Sequence, residues 1–195
     1  MPTRHPELYL VRHAETEWTL SGRHTGRTDV PLTERGKLAA VAIGNRLAGR
    51  EFALVLCSPL LRAFETCELA GYGPQGQVRE DLREWDYGEY EGRTTPEIRA
   101  ERPGWNLWSD GCPSGETATD VAARAQRVIS EAARAGGDAA LFAHGHLLRV
   151  LAACWVGLGP EAGAVLALAP GSLSTLGHER ERRVLTGWND AVRMG

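Results

Sequence analysis

Long apolar runs are missing from this 195-residue chain, and so is any excess of positive charge. No stretch is apolar and long enough to cross a bilayer, and Met1-Pro2-Thr3-Arg4-His5-Pro6-Glu7 leads into a strand-like segment without the apolar core of a signal peptide. With 22 Lys and Arg against 25 Asp and Glu, the formal net charge is -3, so no general field draws nucleic acid and any anionic ligand must be held by a few local arginines. Cysteine is scarce: Cys57, Cys67, Cys112 and Cys154 show neither C-x-x-C spacing nor the density of a secreted disulfide scaffold, which predicts reduced thiols. Internal repeats, low-complexity tracts and linkers are absent too. What remains is one domain over residues 1–195, expected to be soluble and cytoplasmic, without membrane or nucleic-acid partners. The six tryptophans could line a core, a pocket or a homo-oligomer interface.

The hydrophobic pattern is strand-turn-helix, three times over. Leu8-Tyr9-Leu10-Val11 is a short apolar run with Arg12-His13 at its carboxyl end, and from Thr33, a candidate N-cap, Leu38, Val41, Ala42 and Leu47 recur at helical spacing. Ala53 to Cys57 is a second run, ending at Ser58-Pro59 before a helix over Leu60 to Ala70. Ala139 to Ala143 is the third, followed by His144-Gly145-His146 and an apolar helix from Leu147 to Val156. Such units imply an α/β fold with a parallel sheet. Between them, Glu80 to Pro113 reads as loops with one short helix and Gly115 to Ala135 as a long helix; Ser172 to His178 and Arg183 to Trp188 read as closing strands joined by a charged turn.

Each of the three strand ends delivers a cation or a cation-capable group: Arg12 and His13, then Arg62 one helical turn beyond Ser58-Pro59, then His144. Strand ends of an α/β sheet converge on one crevice, and two arginines with two histidines there suit a tetrahedral dianion, most naturally a phosphoryl group. Taken singly, each has an ordinary reading: Arg62 could pair with Glu65, and His144 with His146 could suggest a metal. No carboxylate or cysteine lies near enough in sequence to complete a ligand set, so no metal is expected.

Leu10-Val11-Arg12-His13, Thr25-Gly26 with Asp29 and Leu32-Thr33, Ser58-Pro59-Leu60-Leu61-Arg62-Ala63, Glu84 with Gly88 and Glu91-Gly92, and His144-Gly145-His146 occur in this order from residue 8 to about residue 150. Together they resemble the histidine phosphatase superfamily, which includes cofactor-dependent phosphoglycerate mutases. The resemblance implies a single three-layer α/β domain with a mostly parallel central sheet and helices on both faces. It also implies that His13 attacks phosphorus, that Arg12, Arg62 and His144 bind the phosphoryl oxygens, and that Glu84 donates a proton to the leaving oxygen. Trp85 and Tyr87 are expected to wall Glu84 off from water. Two positions depart from the family's usual pattern: Ala14 stands where Gly is common, and Thr19 where mutase-like members usually carry Asn.

A mutase must exclude water from its phosphorylated intermediate. The interval between Glu84 and His144 is 144 − 84 = 60 residues, shorter than the mutases' usual insertion, which favours hydrolysis. The expected activity is therefore that of a phosphatase for small phosphorylated metabolites, requiring no cofactor. A phosphoglycerate mutase and a non-catalytic phosphate- or phosphohistidine-binding module are the competing readings. The stretch Glu84 to Gly92 looks most like the branch of sedoheptulose-1,7-bisphosphatases and bacterial acid phosphatases, in which Arg149 matches a substrate-contacting position. Thr19, Thr25, Ser58, Tyr87 and Gly145 complete the expected substrate contacts.

Overall fold

The computed structural model describes residues 5–192; residues 1–4, where the N-terminal reading begins, and residues 193–195 lie outside it. In chain order the elements are β1 (Leu8–Arg12), α1 (Glu17–Ser21), α2 (Glu34–Leu47), β2 (Leu54–Cys57), α3 (Leu61–Leu69), β3 (Gly76–Val78), α4 (Thr95–Glu101), α5 (Leu107–Asp110), α6 (Ala118–Ala133), β4 (Ala139–Ala143), α7 (Gly145–Trp155), β5 (Ser172–Glu179) and β6 (Arg182–Ala191). The strands form one sheet in the order β3-β2-β4-β1-β5-β6. β1, β2, β3 and β4 are parallel, while β5 and β6 close the sheet antiparallel.

Continuous apolar runs are what a strand needs when both its faces are covered. Alternate residues serve opposite layers: Leu8 and Leu10 join Leu56 and Leu141 in a core with α6 and α7, while Tyr9, Val11, Val55, Cys57, Ala140 and Phe142 pack with Ile43 and Leu47 of α2 and Cys67 of α3. The chain is thus a single three-layer α/β domain with a mostly parallel sheet.

Four local expectations are corrected. The buried stripe of α2 is Gly36, Ala39, Ala40, Ile43 and Leu47, whereas Leu38 and Val41 are exposed at 60% and 44%. Small residues win this face because Ala39 and Ala40 pack closely on Ala14 and Leu32, just beyond the β1 terminus. The long helix α6 starts at Ala118 rather than Gly115: Thr117 and Asp120 form a capping box, and the carbonyl of Glu116 is taken by the Trp85 indole N–H. Helix α7 begins at Gly145, two residues earlier than its apolar pattern, and the segment 80–113 holds two short helices, α4 and α5, instead of one. Neither α1 nor β3 was expected.

Candidate active site

The ends of β1, β2 and β4 are fixed side by side by main-chain bonds: His13 N–H donates to Ala143 O at 2.9 Å and Ser58 N–H to Phe142 O at 2.9 Å. Residues far apart in sequence are thereby brought to one edge of the sheet, with the His13 and His144 rings 5.2 Å apart between centroids.

His13 is 3% exposed, and its Nδ1 lies 2.8 Å from the carbonyl oxygen of Ala14. A carbonyl can only accept, so Nδ1 carries the proton and the neutral ring presents an Nε2 lone pair. Burial first, then the charges of Arg62 and Arg12, push this imidazole well below the usual 6.5. It is therefore a neutral imidazole, its Nε2 lone pair unprotonated, held among cations.

Around it lie buried donors that the protein leaves unpaired. Arg12 gives one terminal nitrogen to the Leu168 carbonyl, and its Nε has no partner. Arg62 is fully buried; its fork donates to the carbonyls of Thr25 at 2.9 Å, Gly26 at 3.1 Å and Thr28 at 3.0 Å, again leaving Nε free. It does not pair with Glu65, whose carboxylate accepts the Leu32 N–H. His144 Nε2 is 2.7 Å from Ser58 Oγ, which also accepts the Leu60 N–H. The buried Ser58 hydroxyl has His144 Nε2 as its acceptor, so the neutral His144 ring keeps its proton on Nδ1, which has no protein partner. Burial and the charge of Arg62 hold His144 neutral as well. Gly145 is what lets Arg12 lie here: a Cβ on it would stand 3.1 Å from the Arg12 guanidinium carbon.

Glu84, 7% exposed, is held at the start of α7. Its Oε1 accepts the N–H groups of Trp85 and Leu147, each at 2.9 Å, and its Oε2 accepts that of His146 at 3.0 Å. Glu84 thus caps a helix whose N-cap residue, His144, supplies no side-chain cap. Oε1 is saturated by two donors, whereas Oε2 has one and retains a lone pair for a proton.

The loop 25–28 is clamped from two sides. Arg62 takes its carbonyls, and the Glu91 carboxylate accepts the N–H groups of Gly26 at 2.9 Å and Thr28 at 3.1 Å. Gly26 is required by this packing, since a Cβ would stand 2.6 Å from Glu91 Oε2 and 2.7 Å from the Trp85 carbonyl. Gly26→Ala is expected to cost about 1–3 kcal/mol of stability, read as a lower urea midpoint with an unchanged m-value. Beneath Glu84, the buried Arg124 joins the Glu116 carboxylate at 2.8 Å to the carbonyls of Asp81 and Arg83.

A cavity of about 180 Å³ opens onto this assembly, lined by Arg12, His13, Trp18, Thr19, Gly22, Arg23, His24, Thr25, Glu84, Tyr87 and His146. Of the expected site residues, Arg12, His13, Thr19, Thr25, Glu84 and Tyr87 share this lining, and Ser58, Arg62, His144 and Gly145 stand behind it. The Thr19 hydroxyl is engaged with Thr16 in the cap of α1. Arg149 is placed differently: it donates to the carbonyls of Gly163 and Ala164 and lies 4.6 Å above the Trp108 ring. Sequence reasoning did not mark Arg23, His24 and His146 in the wall, nor Glu91 and Arg124 as supports. The quoted Glu91-Gly92 pair was the signal for Glu91, without its role.

Three histidines buried neutral make an acid-sensitive fold. His13, His144 and His146 titrate well below 6.5 when folded, and burial lowers His24 to about 4. The unfolded chain binds more protons between those values and 6.5, so stability is fully present above pH 6.5 and falls as pH drops through that window. His24 alone accounts for about 3 kcal/mol between pH 7 and pH 4. Urea midpoints measured from pH 8 to pH 4 are expected to hold steady to near 6.5 and then decline.

Residues 8–191 match the model of the histidine phosphatase superfamily, branch 1. The chain belongs to that superfamily. An acid phosphatase of Mycobacterium tuberculosis is 39% identical over 189 residues, covering 95% of this chain and 93% of that protein. A sedoheptulose 1,7-bisphosphatase of Saccharomyces cerevisiae is 37% identical over 194 residues, covering 83% of this chain and 71% of that protein. The solved structure of a Mycobacterium tuberculosis open reading frame aligns with a TM-score of 0.92 at 38% identity, covering 96% of this chain and 99% of that one. Membership with relatives so named makes the chain a phosphoric monoester hydrolase. No helix among the described residues is long and apolar enough to cross a membrane.

Proposed function

We propose that this histidine phosphatase cleaves phosphate monoesters of small metabolites in two displacements at His13. The observation that carries the assignment is the neutral His13, its Nδ1 anchored on a carbonyl, surrounded by the unpaired buried donors Arg12 Nε, Arg62 Nε and His144 Nδ1. In the first displacement Nε2 of His13 bonds to phosphorus as the ester oxygen leaves with the proton of Glu84. In the second, water gives a proton to the Glu84 carboxylate and its oxygen displaces the imidazole, releasing inorganic phosphate. Arg12, Arg62 and His144 stabilise the transferring group, where positioning and charge supply most of the catalysis. Thr25 and Tyr87 stand on the leaving-group side. By analogy with the yeast relative, sugar bisphosphates head the candidate substrates.

Glu84→Gln keeps the shape of the side chain but has no proton to give. Its kcat/KM for an alkyl phosphate, which reports the first displacement and not the later hydrolysis that also uses Glu84, should fall by about 10²–10⁴. For p-nitrophenyl phosphate, whose leaving oxygen needs little protonation, the loss should be much smaller. Equal losses on both substrates contradict the role given to Glu84. The function itself is tested by phosphate release from a panel of phosphorylated metabolites scored by kcat/KM, and a wild-type protein that releases none overturns it.

A further inference from the structure

One histidine of the His144-Gly145-His146 run has no part in the chemistry above. His146 lines the catalytic cavity, and its ring is packed edge-on by Trp85, Tyr87 and Trp108 at centroid distances of 6.3, 5.8 and 5.4 Å. Its Nδ1 is 2.5 Å from the hydroxyl of Tyr87, which is 2% exposed.

The direction of that bond follows from what each atom can do. Tyr87 is kept protonated, because burial first and then the neighbouring Glu84 push its hydroxyl well above 10. The phenolic proton has no other acceptor among the described residues, so it is donated to His146 Nδ1. His146 is itself held neutral, by burial first and then by Arg149. A neutral imidazole accepting at Nδ1 must carry its proton on Nε2, which has no hydrogen-bond partner among the described residues. The wall of the cavity therefore presents a fixed N–H donor.

Its place tells which part of a substrate it meets. The His146 main-chain N–H holds Glu84 Oε2, the oxygen with a lone pair left for the transferred proton. His13 and His144 lie at the ends of β1 and β4 with their rings 5.2 Å apart, whereas His146 is the second residue of α7 and its ring lies 6.1 Å from that of His24. The neighbours of His146 in the cavity are His24, whose ring stacks 4.7 Å from Tyr87, and Tyr87 itself. Both histidines are neutral, so this stretch of wall suits the uncharged, hydroxylated part of a substrate, with Arg23 the cation on the same lining.

We infer that His146, with its tautomer set by Tyr87, is a specificity-determining residue that donates Nε2–H to a hydroxyl or carbonyl oxygen beside the ester carbon, selecting polyol and sugar phosphates over plain alkyl phosphates. This rests on the phosphatase reading and deepens it. Glycerol 3-phosphate and propyl phosphate share a three-carbon skeleton and differ in the hydroxyls, so their kcat/KM ratio isolates the contact. Wild-type protein should favour glycerol 3-phosphate, and His146→Phe should reduce the ratio about tenfold, the worth of one hydrogen bond. His146→Asn, which keeps an N–H donor, should recover much of it. Tyr87→Phe, which releases the tautomer while leaving His146 in place, should lower the ratio by a smaller factor and provides the reading if His146→Phe does not fold. A ratio unchanged in both Phe variants, or an equal loss on both substrates, overturns the inference without touching the proposed function. Phosphate release from neither substrate, nor from p-nitrophenyl phosphate, by wild-type protein removes the function instead.

Discussion

Replacing His13 with Ala is expected to lower phosphate release by at least about 10⁴-fold, the scale on which enzymes lose rate when a covalent nucleophile is removed. The other histidines of the site are engaged elsewhere, His24 through its Nε2, 3.3 Å from the Thr95 hydroxyl. His144 has its Nε2 lone pair committed to the Ser58 hydroxyl, and His146 has its Nδ1 committed to Tyr87. The fold should survive, because among the described residues the only side-chain hydrogen bond of His13 is to the next residue, Ala14, and the bond that ties β1 to β4 here uses its main chain. Thermal unfolding of His13→Ala near the wild-type midpoint, alongside lost turnover, separates a chemical role from a structural one.

The second large effect is expected at Arg62, for two reasons that can be measured separately. Its Nε is free to meet phosphate, so Arg62→Ala should reduce kcat/KM by about 10²–10³, as for removal of one oxyanion donor. Its fork also holds three carbonyls of the 25–28 loop, so the same change should lower stability by about 3 kcal/mol. Arg62→Lys restores charge but not the planar fork, and it should recover little of either. A rate loss without a stability loss would show that Glu91 suffices to hold the loop. Saturating inorganic phosphate should protect the wild type against urea more than it protects Arg62→Ala, since binding to the folded state alone is stabilising.

The residues that could be read from sequence are those whose surroundings are local. β1, β2 and β4 are buried on both faces, so their apolar runs stand out, and the residues that follow such runs are placed at the crevice by topology alone. The lower part of the site is different in kind. Glu91 and Gly26 are 65 positions apart and Arg124 and Asp81 are 43 apart, so no periodicity announces their bonds. β3 has three residues, Gly76, Gln77 and Val78, and α1 has five, too few to establish a pattern. Leu38 and Val41 misled because hydrophobicity alone marks the greasy side of a helix, whereas close packing on Ala14 and Leu32 demanded the small side. Arg149 shows the same limit. Its position five residues beyond His144 says nothing of the Gly163 and Ala164 carbonyls that its guanidinium meets.

In the proposed mechanism the phosphoryl group rests on His13 between two displacements. Rapid quenching of the wild-type protein with a ³²P-labelled sugar phosphate, followed by peptide mapping, tests it most directly. Label is expected on the peptide carrying His13, labile to acid and stable to base, formed and discharged as fast as turnover and missing from His13→Ala. Full hydrolysis with no label on that peptide at any quench time, in an enzyme whose Glu84→Gln variant accumulates none either, would contradict it.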